Sequence, residues 1–184
     1  MSRRFDPIEG RVVPVFFHYA IPSVVGILAS TSAGVIDGMF IGNFVGASAL
    51  AAVNIAMPAF YLFAAIVFML AVGGSVMCGK FLGEGKPREA SLIFSKTIYA
   101  SFVASSLIVG VSLYFLDEVV ALLGASSELH PLVRDYIQII LWAAPVLVIA
   151  LTADWFVRVD GRPVLAAVAL IMFAVSNITL DWLF

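Results

Sequence analysis

The chain has 184 residues, 62% of them hydrophobic and 12% charged, with a mean hydropathy of +1.10 and a formal net charge of −2. Soluble domains run at about 45–50% apolar and about 25% charged, so this is the composition of an integral membrane protein. The small net charge leaves no footprint for nucleic acid, the single Cys78 rules out an internal disulfide or a thiol pair for metal, and His18 and His130 lack metal-ligand spacing.

The N-terminus reads Ser2-Arg3-Arg4-Phe5, superficially a twin-arginine export signal. The apolar run from Val12 to Ile36 is too long for the short apolar region of a signal peptide and long enough to span a bilayer. It is read as a retained first helix, with residues 1–14 a cytoplasmic N-terminus and 15–184 a transmembrane domain.

Five spans follow in order. The first covers about Val15 to Ile41 and the second about Ala51 to Cys78. No Asp, Glu, Lys or Arg lies between Gly38 and Gly79, too long a stretch for one helix, and Gly42-Asn43-Phe44-Val45-Gly46 supplies the break. The third covers about Ile93 to Leu116. Asp117 to Asp135 is a polar outer connection whose Val119, Val120, Leu122 and Leu123 allow a short interfacial helix. The fourth span covers about Tyr136 to Val157, and the fifth starts near Pro163, a favoured first-turn residue, and runs to the end. Trp142 and Trp182 fall near outer span ends and Trp155 near an inner one, as interfacial belt residues do.

The loops set the orientation. Arg3, Arg4, Arg11, Lys80, Lys86, Arg88, Lys96, Arg158 and Arg162 fall on one side, nine of the ten basic residues, against Arg134 on the other. The positive-inside rule puts the N-terminus in the cytoplasm. The chain stops at Asp181-Trp182-Leu183-Phe184 with no polar flank, which reads as a piece of something longer.

The residues that could carry chemistry are acids inside the spans. Asp37 lies 22 residues beyond Val15, about 33 Å of helix, and Asp181 lies 18 beyond Pro163, about 27 Å. Both fall in the outer half of the membrane, where a charge towards lipid costs roughly 3 kcal/mol or more. Asn177 precedes Asp181 by four and shares its helix face. Two carboxylates and an amide oxygen are hard donors, suited to a proton or a small cation such as Na⁺. Carboxylates that meet cannot both ionise cheaply, so Asp37 and Asp181 facing each other across an interior crevice would make a proton carrier. The plainer alternatives are a helix-end cap for Asp37 beside Gly38 and an interfacial acid for Asp181.

Other residues have plainer readings. Asp154 and Arg158, four apart, make an interfacial ion pair, and His18 an interfacial side chain. Pro22, Pro58 and Pro145 each remove a helical hydrogen bond and can kink a span, and Pro22 shares its helix with Asp37. Gly73-Gly74 and Gly34 with Gly38 permit close helix packing. No phosphate-binding glycine loop or nucleophile motif is present, which leaves a membrane-embedded enzyme without support.

Ile36-Asp37-Gly38-Met39-Phe40-Ile41-Gly42, followed by Leu50-Ala51-Ala52-Val53-Asn54, resembles the first helix and turn of the multidrug and toxic compound extrusion (MATE) family. Val72-Gly73-Gly74-Ser75 and Leu82-Gly83-Glu84-Gly85 resemble the end of its second helix and the next loop. Arg158-Val159-Asp160-Gly161-Arg162-Pro163 resembles its fourth loop, and Asn177-Ile178-Thr179-Leu180-Asp181 its fifth-helix signature. The first-helix stretch resembles the bacterial MepA-like branch.

The resemblance implies an all-α polytopic membrane bundle, about five helices of a six-helix N-lobe. Family members pair two such lobes around a cavity and export cationic, amphipathic drugs in exchange for H⁺ or Na⁺ as coupling ion, with no cofactor. By motif match, Asp37, Asn177 and Asp181 fall on the ion-coupling site, and Pro22 matches a first-helix proline whose bending has been proposed to accompany drug release. The expected surroundings are membrane lipids of a bacterial plasma membrane, drug substrates and a missing C-terminal lobe. The sixth helix and the C-lobe have no counterpart here. The alternative from another class is a non-transporting membrane subunit or scaffold, in which the acids serve assembly.

The topology is testable by cysteine-accessibility labelling at positions 2 and 127. Position 2 is expected to be protected from an impermeant reagent added outside and position 127 to be labelled; the reverse pattern would refute the assignment.

Overall fold

The computed structural model describes residues 11–183, and within them every regular element is helical. That is what lipid demands, since each backbone N–H and C=O must be satisfied within its own segment. The elements are α1 (Val12–Phe40), α2 (Ala47–Gly83), α3 (Pro87–Tyr114), a short α4 (Leu116–Leu122), α5 (His130–Val159) and α6 (Pro163–Leu183). Five of them, all but α4, are long and apolar enough to cross a membrane.

The helices begin earlier or end later than the apolar runs suggest. α1 starts at Val12, inside the segment assigned to a cytoplasmic N-terminus, and α5 starts at His130 rather than near Tyr136. Charged and polar residues at the ends stay helical because only the middle of a helix has to lie in lipid. Trp142 is consequently 12 residues into a 30-residue helix. Residues 1–10, including Arg3 and Arg4, lie outside the described part.

The first turn also differs from the expectation. The glycine-rich pentapeptide does not unwind. Ile41–Val45 continues α1 as a π-helical turn, closed by the Gly46 N–H donating to Ile41 O at 2.9 Å. The chain turns at Gly46, whose φ of 120° and ψ of 170° suit glycine alone.

The packing divides the five spans into two groups. α2, α3 and α5 pack on one another along their lengths, and α1 lies along α6. Packing between the two groups is sparse. The three-helix group has the main core, with Ala56, Phe63, Val67, Ile137, Leu141 and Val148 at its centre and Leu116 and Val120 of α4 pressed onto it. A bond from Arg134 Nε to Asp117 Oδ1 at 2.9 Å ties α4 to α5.

Small residues let these helices approach. A Cβ on Gly74 would collide with the Thr97 side chain across the α2–α3 seam. A Cβ on Gly26 would come within 3.2 Å of the Ala167 backbone, and Ala33, Ala166 and Ala174 continue that seam between α1 and α6. Gly34, Gly38 and Gly73, by contrast, have nothing within 4 Å of an added Cβ, so the close packing expected of them falls instead to Gly26 and Gly74.

Thr97, Ser101 and Ser105 recur every fourth residue on the buried face of α3. Ser101, Ser105 and Thr152 of α5 are each 0% exposed, and their hydroxyls have no hydrogen-bond partner among the described residues. Their small volume is therefore what the packing uses. Ser101→Ala is expected to change stability by less than about 1 kcal/mol, since no bond is lost. Ser101→Leu should cost about 1–3 kcal/mol through overpacking. Thermal unfolding in detergent, followed by exposure of the buried Cys78 thiol, gives both values.

Candidate ion-coupling site

The seam between α1 and α6 sets the register of the acids. Gly26 sits against Ala167 and Leu170. Moving 11 residues on along both parallel helices brings Asp37 level with positions 178–181. Asp181 is close enough for its charge to act on Asp37. The structure thus brings together the two acids that the sequence placed on separate helices at similar depth.

Both carboxylates are half-buried, as is Asn177 one turn before Asp181 on α6. Asp181 Oδ2 is buried with no hydrogen-bond partner among the described residues. A buried carboxylate oxygen left in that state is costly, and binding a proton or a cation relieves the cost. Thr179, in the same stretch, donates its hydroxyl proton to Val175 O at 2.6 Å within α6. No group of three or more His, Cys, Asp or Glu suited to a metal occurs among the described residues. A cation here would rest on two carboxylates and an amide oxygen.

A third residue joins from across the gap. Tyr136, half-buried on α5, lies close enough to be acted on by the Asp37 charge. Sequence reasoning used Tyr136 only to mark the start of the fourth span. Its position six residues into α5, opposite the end of α1, follows from helix register, which the chain alone does not reveal.

The opposite end of the two groups is held by a different contact. Arg158 donates from Nε to Asp154 Oδ2 at 3.0 Å and from Nη2 to Asp154 Oδ1 at 3.4 Å, the expected i,i+4 pair. It also donates from Nη1 to Ser23 Oγ at 2.8 Å. That third bond was not foreseen. It crosses from α5 to α1 at the residue after Pro22. α1 runs helically through Pro22, which has no N–H for the His18 carbonyl. The weakest point of the α1 ladder is therefore latched to α5 by one guanidinium.

The Arg158 and Asp154 side chains are 19% and 24% exposed. Removing one partner strands the other in a poorly solvated place. Arg158→Leu is expected to cost about 2–3 kcal/mol, and the double variant Arg158→Leu, Asp154→Leu less than the single one. Unfolding midpoints of the wild type, Arg158→Leu, Asp154→Leu and the double variant check this; a double variant as unstable as the sum of both singles would count against it.

Comparison with known proteins agrees with this architecture. The MatE family model matches residues 22–183. The multidrug export protein MepA of Staphylococcus haemolyticus is 25% identical over 173 residues, 94% of this chain and 38% of that protein. MepA of Staphylococcus aureus strain MSSA476 is 25% identical over 171 residues, 91% of this chain and 38% of that protein. The chain therefore spans under half the length of these relatives. Among solved structures, a MOP superfamily transporter from Pyrococcus furiosus superposes with a TM-score of 0.83 at 24% identity, covering 89% of this chain and 36% of that one. That likeness speaks to the fold alone.

Proposed function

The chain belongs to the MatE family, and from that premise we propose that it forms the ion-coupling half of a multidrug efflux antiporter. In this reading it exports cationic, amphipathic compounds in exchange for H⁺ or Na⁺, from a bacterial plasma membrane with its N-terminus in the cytoplasm. The observation that carries the reading is the buried Asp181 Oδ2, unpartnered among the described residues, on the helix packed along α1, with its charge close enough to act on Asp37. The printed name of the staphylococcal relatives, multidrug export protein, supports drugs as the cargo.

The chemistry follows from charge. Two carboxylates in a poorly solvated setting repel each other unless a proton or a cation lies between them. Binding the ion draws α1 and α6 together at Asp37 and Asp181; releasing it lets them part. Asn177 adds a neutral oxygen on the same face of α6 as Asp181, which suits a small hard cation as well as a proton. α1 also carries Pro22, so a change at its Asp37 end can be taken up by bending at the proline. In this reading Pro22 is the hinge, and the Arg158–Ser23 bond beside it holds one of the two shapes.

The alternative reading is a non-transporting membrane subunit or scaffold, in which the acids serve assembly. Sequencing the gene beyond codon 184 separates the two. A continuing frame with a sixth helix and a second lobe supports the antiporter, and a stop with no such partner gene nearby supports the scaffold.

Ion coupling is tested by Asp37→Asn in cells expressing a transport-competent form. An ion shifts a two-state equilibrium only through its differential affinity for the states. Asparagine keeps the shape and much of the hydrogen bonding but has no proton to release and no negative charge for a cation. Ethidium efflux driven by an imposed pH or Na⁺ gradient should fall at least about tenfold at equal expression, a loss of about 1.4 kcal/mol or more of coupling. Near-normal gradient-dependent efflux would show that Asp37 is not the coupling residue.

A further inference from the structure

A cavity of about 330 Å³ lies among α2, α3, α4 and α5. Small side chains make the room, with Ala56, Ala59 and Ala144 standing where larger residues would fill it. Phe63, Ile137 and Leu141 form its inner wall, and they are 9%, 5% and 9% exposed. No residue of α1 or α6 takes part in the lining, so the cavity is separate from Asp37, Asn177 and Asp181.

The lining decides what can enter. Ser112 carries the one polar side chain in it, and no charged residue contributes. A cation or a lipid headgroup brought inside would lose its water and find no counter-charge. The guest must therefore be uncharged and apolar. Left empty, the walls forfeit the dispersion contacts of a packed interior. An apolar cavity of about 150 Å³ stays dry and takes benzene. This cavity has a little over twice that volume, room for a chain of about a dozen carbons.

The position of the mouth names the source of the chain. Leu62 belongs to the lining and is 68% exposed, so the cavity reaches the protein surface there. Leu62 lies in the middle stretch of α2, a helix long and apolar enough to cross a membrane. Hydrocarbon surrounds the middle of such a helix. The cavity thus opens sideways onto acyl chains, and any other apolar molecule has to displace them. We propose that it binds one acyl chain of a membrane lipid, inserted past Leu62 and held against Phe63, Ile137 and Leu141, with the headgroup left outside and not selected. The chain completes the core of the three-helix group beneath Leu122 of α4. This holds whether or not the acids couple an ion.

The test uses the full chain in phosphatidylcholine nanodiscs containing trace phosphatidylcholine with a diazirine in its acyl chain. Adducts are mapped to residues by mass spectrometry after illumination. Ile137 and Leu141 should be labelled at least about threefold more than Val133 and Val148, which are buried on the same helix but do not line the cavity. Phosphatidylglycerol bearing the same chain should give the same pattern. Ala59→Leu, which takes up part of the space, should lower the adducts at Ile137 and Leu141 and leave those at the exposed Val146 unchanged. Labelling of Ile137 and Leu141 no higher than that of Val133 and Val148 overturns the proposal. So does a strong preference for one headgroup, or loss of the adducts on adding ethidium, which would give the cavity to a cationic cargo. The wild-type comparison decides even where the variant fails to assemble.

Discussion

A carboxylate facing lipid is expensive, and this chain carries one on each of two spanning helices. The cost falls if the two acids lie near each other and partly out of lipid, and Asp37 and Asp181 are half-buried with the Asp181 charge close enough to act on Asp37. That requirement dictates which helices must lie together. α1 and α6 are the first and last elements in the described sequence, yet they pack more closely with each other than with the helices between them. The seam that permits it is made of Gly26, Ala33, Ala166, Ala167 and Ala174, residues too small to keep the backbones apart.

The remaining spans solve a different problem. α2, α3 and α5 close around aliphatic and aromatic side chains with a column of small hydroxyl residues on α3. Each group is internally well packed, and the boundary between them is not. What joins them is the π-helical turn at Ile41–Val45, the loop from Val159 to Pro163, the approach of Tyr136 to Asp37, and the bond from Arg158 to Ser23. All of these lie towards the ends of the bundle rather than along a shared core. A boundary of that kind can shift without opening a hydrophobic core, which is what packed interiors resist.

Much of this was legible in the chain because membrane constraints are coarse. Span number follows from apolar runs longer than a bilayer crossing, and the order of basic and acidic loops follows from their residues. Asp37 and Asp181 stand out because so few charged residues share their surroundings. What could not be read was register. Nothing in the order of residues says that Gly26 rather than Gly34 or Gly38 faces α6, because all three are glycines on one helix and only the rotation of that helix distinguishes them. The same holds for Tyr136 and Ser23, ordinary residues until a neighbouring helix brings a charge to them. Helix ends were misjudged for a related reason. Hydropathy reports where lipid begins, and the hydrogen-bonded ladder runs past that point into water, as at Val12 and His130.

On the proposed reading, Pro22 as hinge and the acidic pair are coupled by geometry. Asp37 and Pro22 lie 15 residues apart on α1, about 22 Å along its axis, so a small bend at the proline becomes a displacement of ångströms at the carboxylate. A bend cannot occur freely while Arg158 holds Ser23, the residue next to the proline. Asp154 is what keeps that guanidinium in place, through two bonds on its own helix. The ion pair that sequence reasoning treats as a bland interfacial contact therefore positions a side chain that bonds to α1 beside Pro22. On the proposed reading, ion binding at Asp37 and release of Ser23 by Arg158 act on the two ends of the same lever, and neither end can change its shape without loading the other.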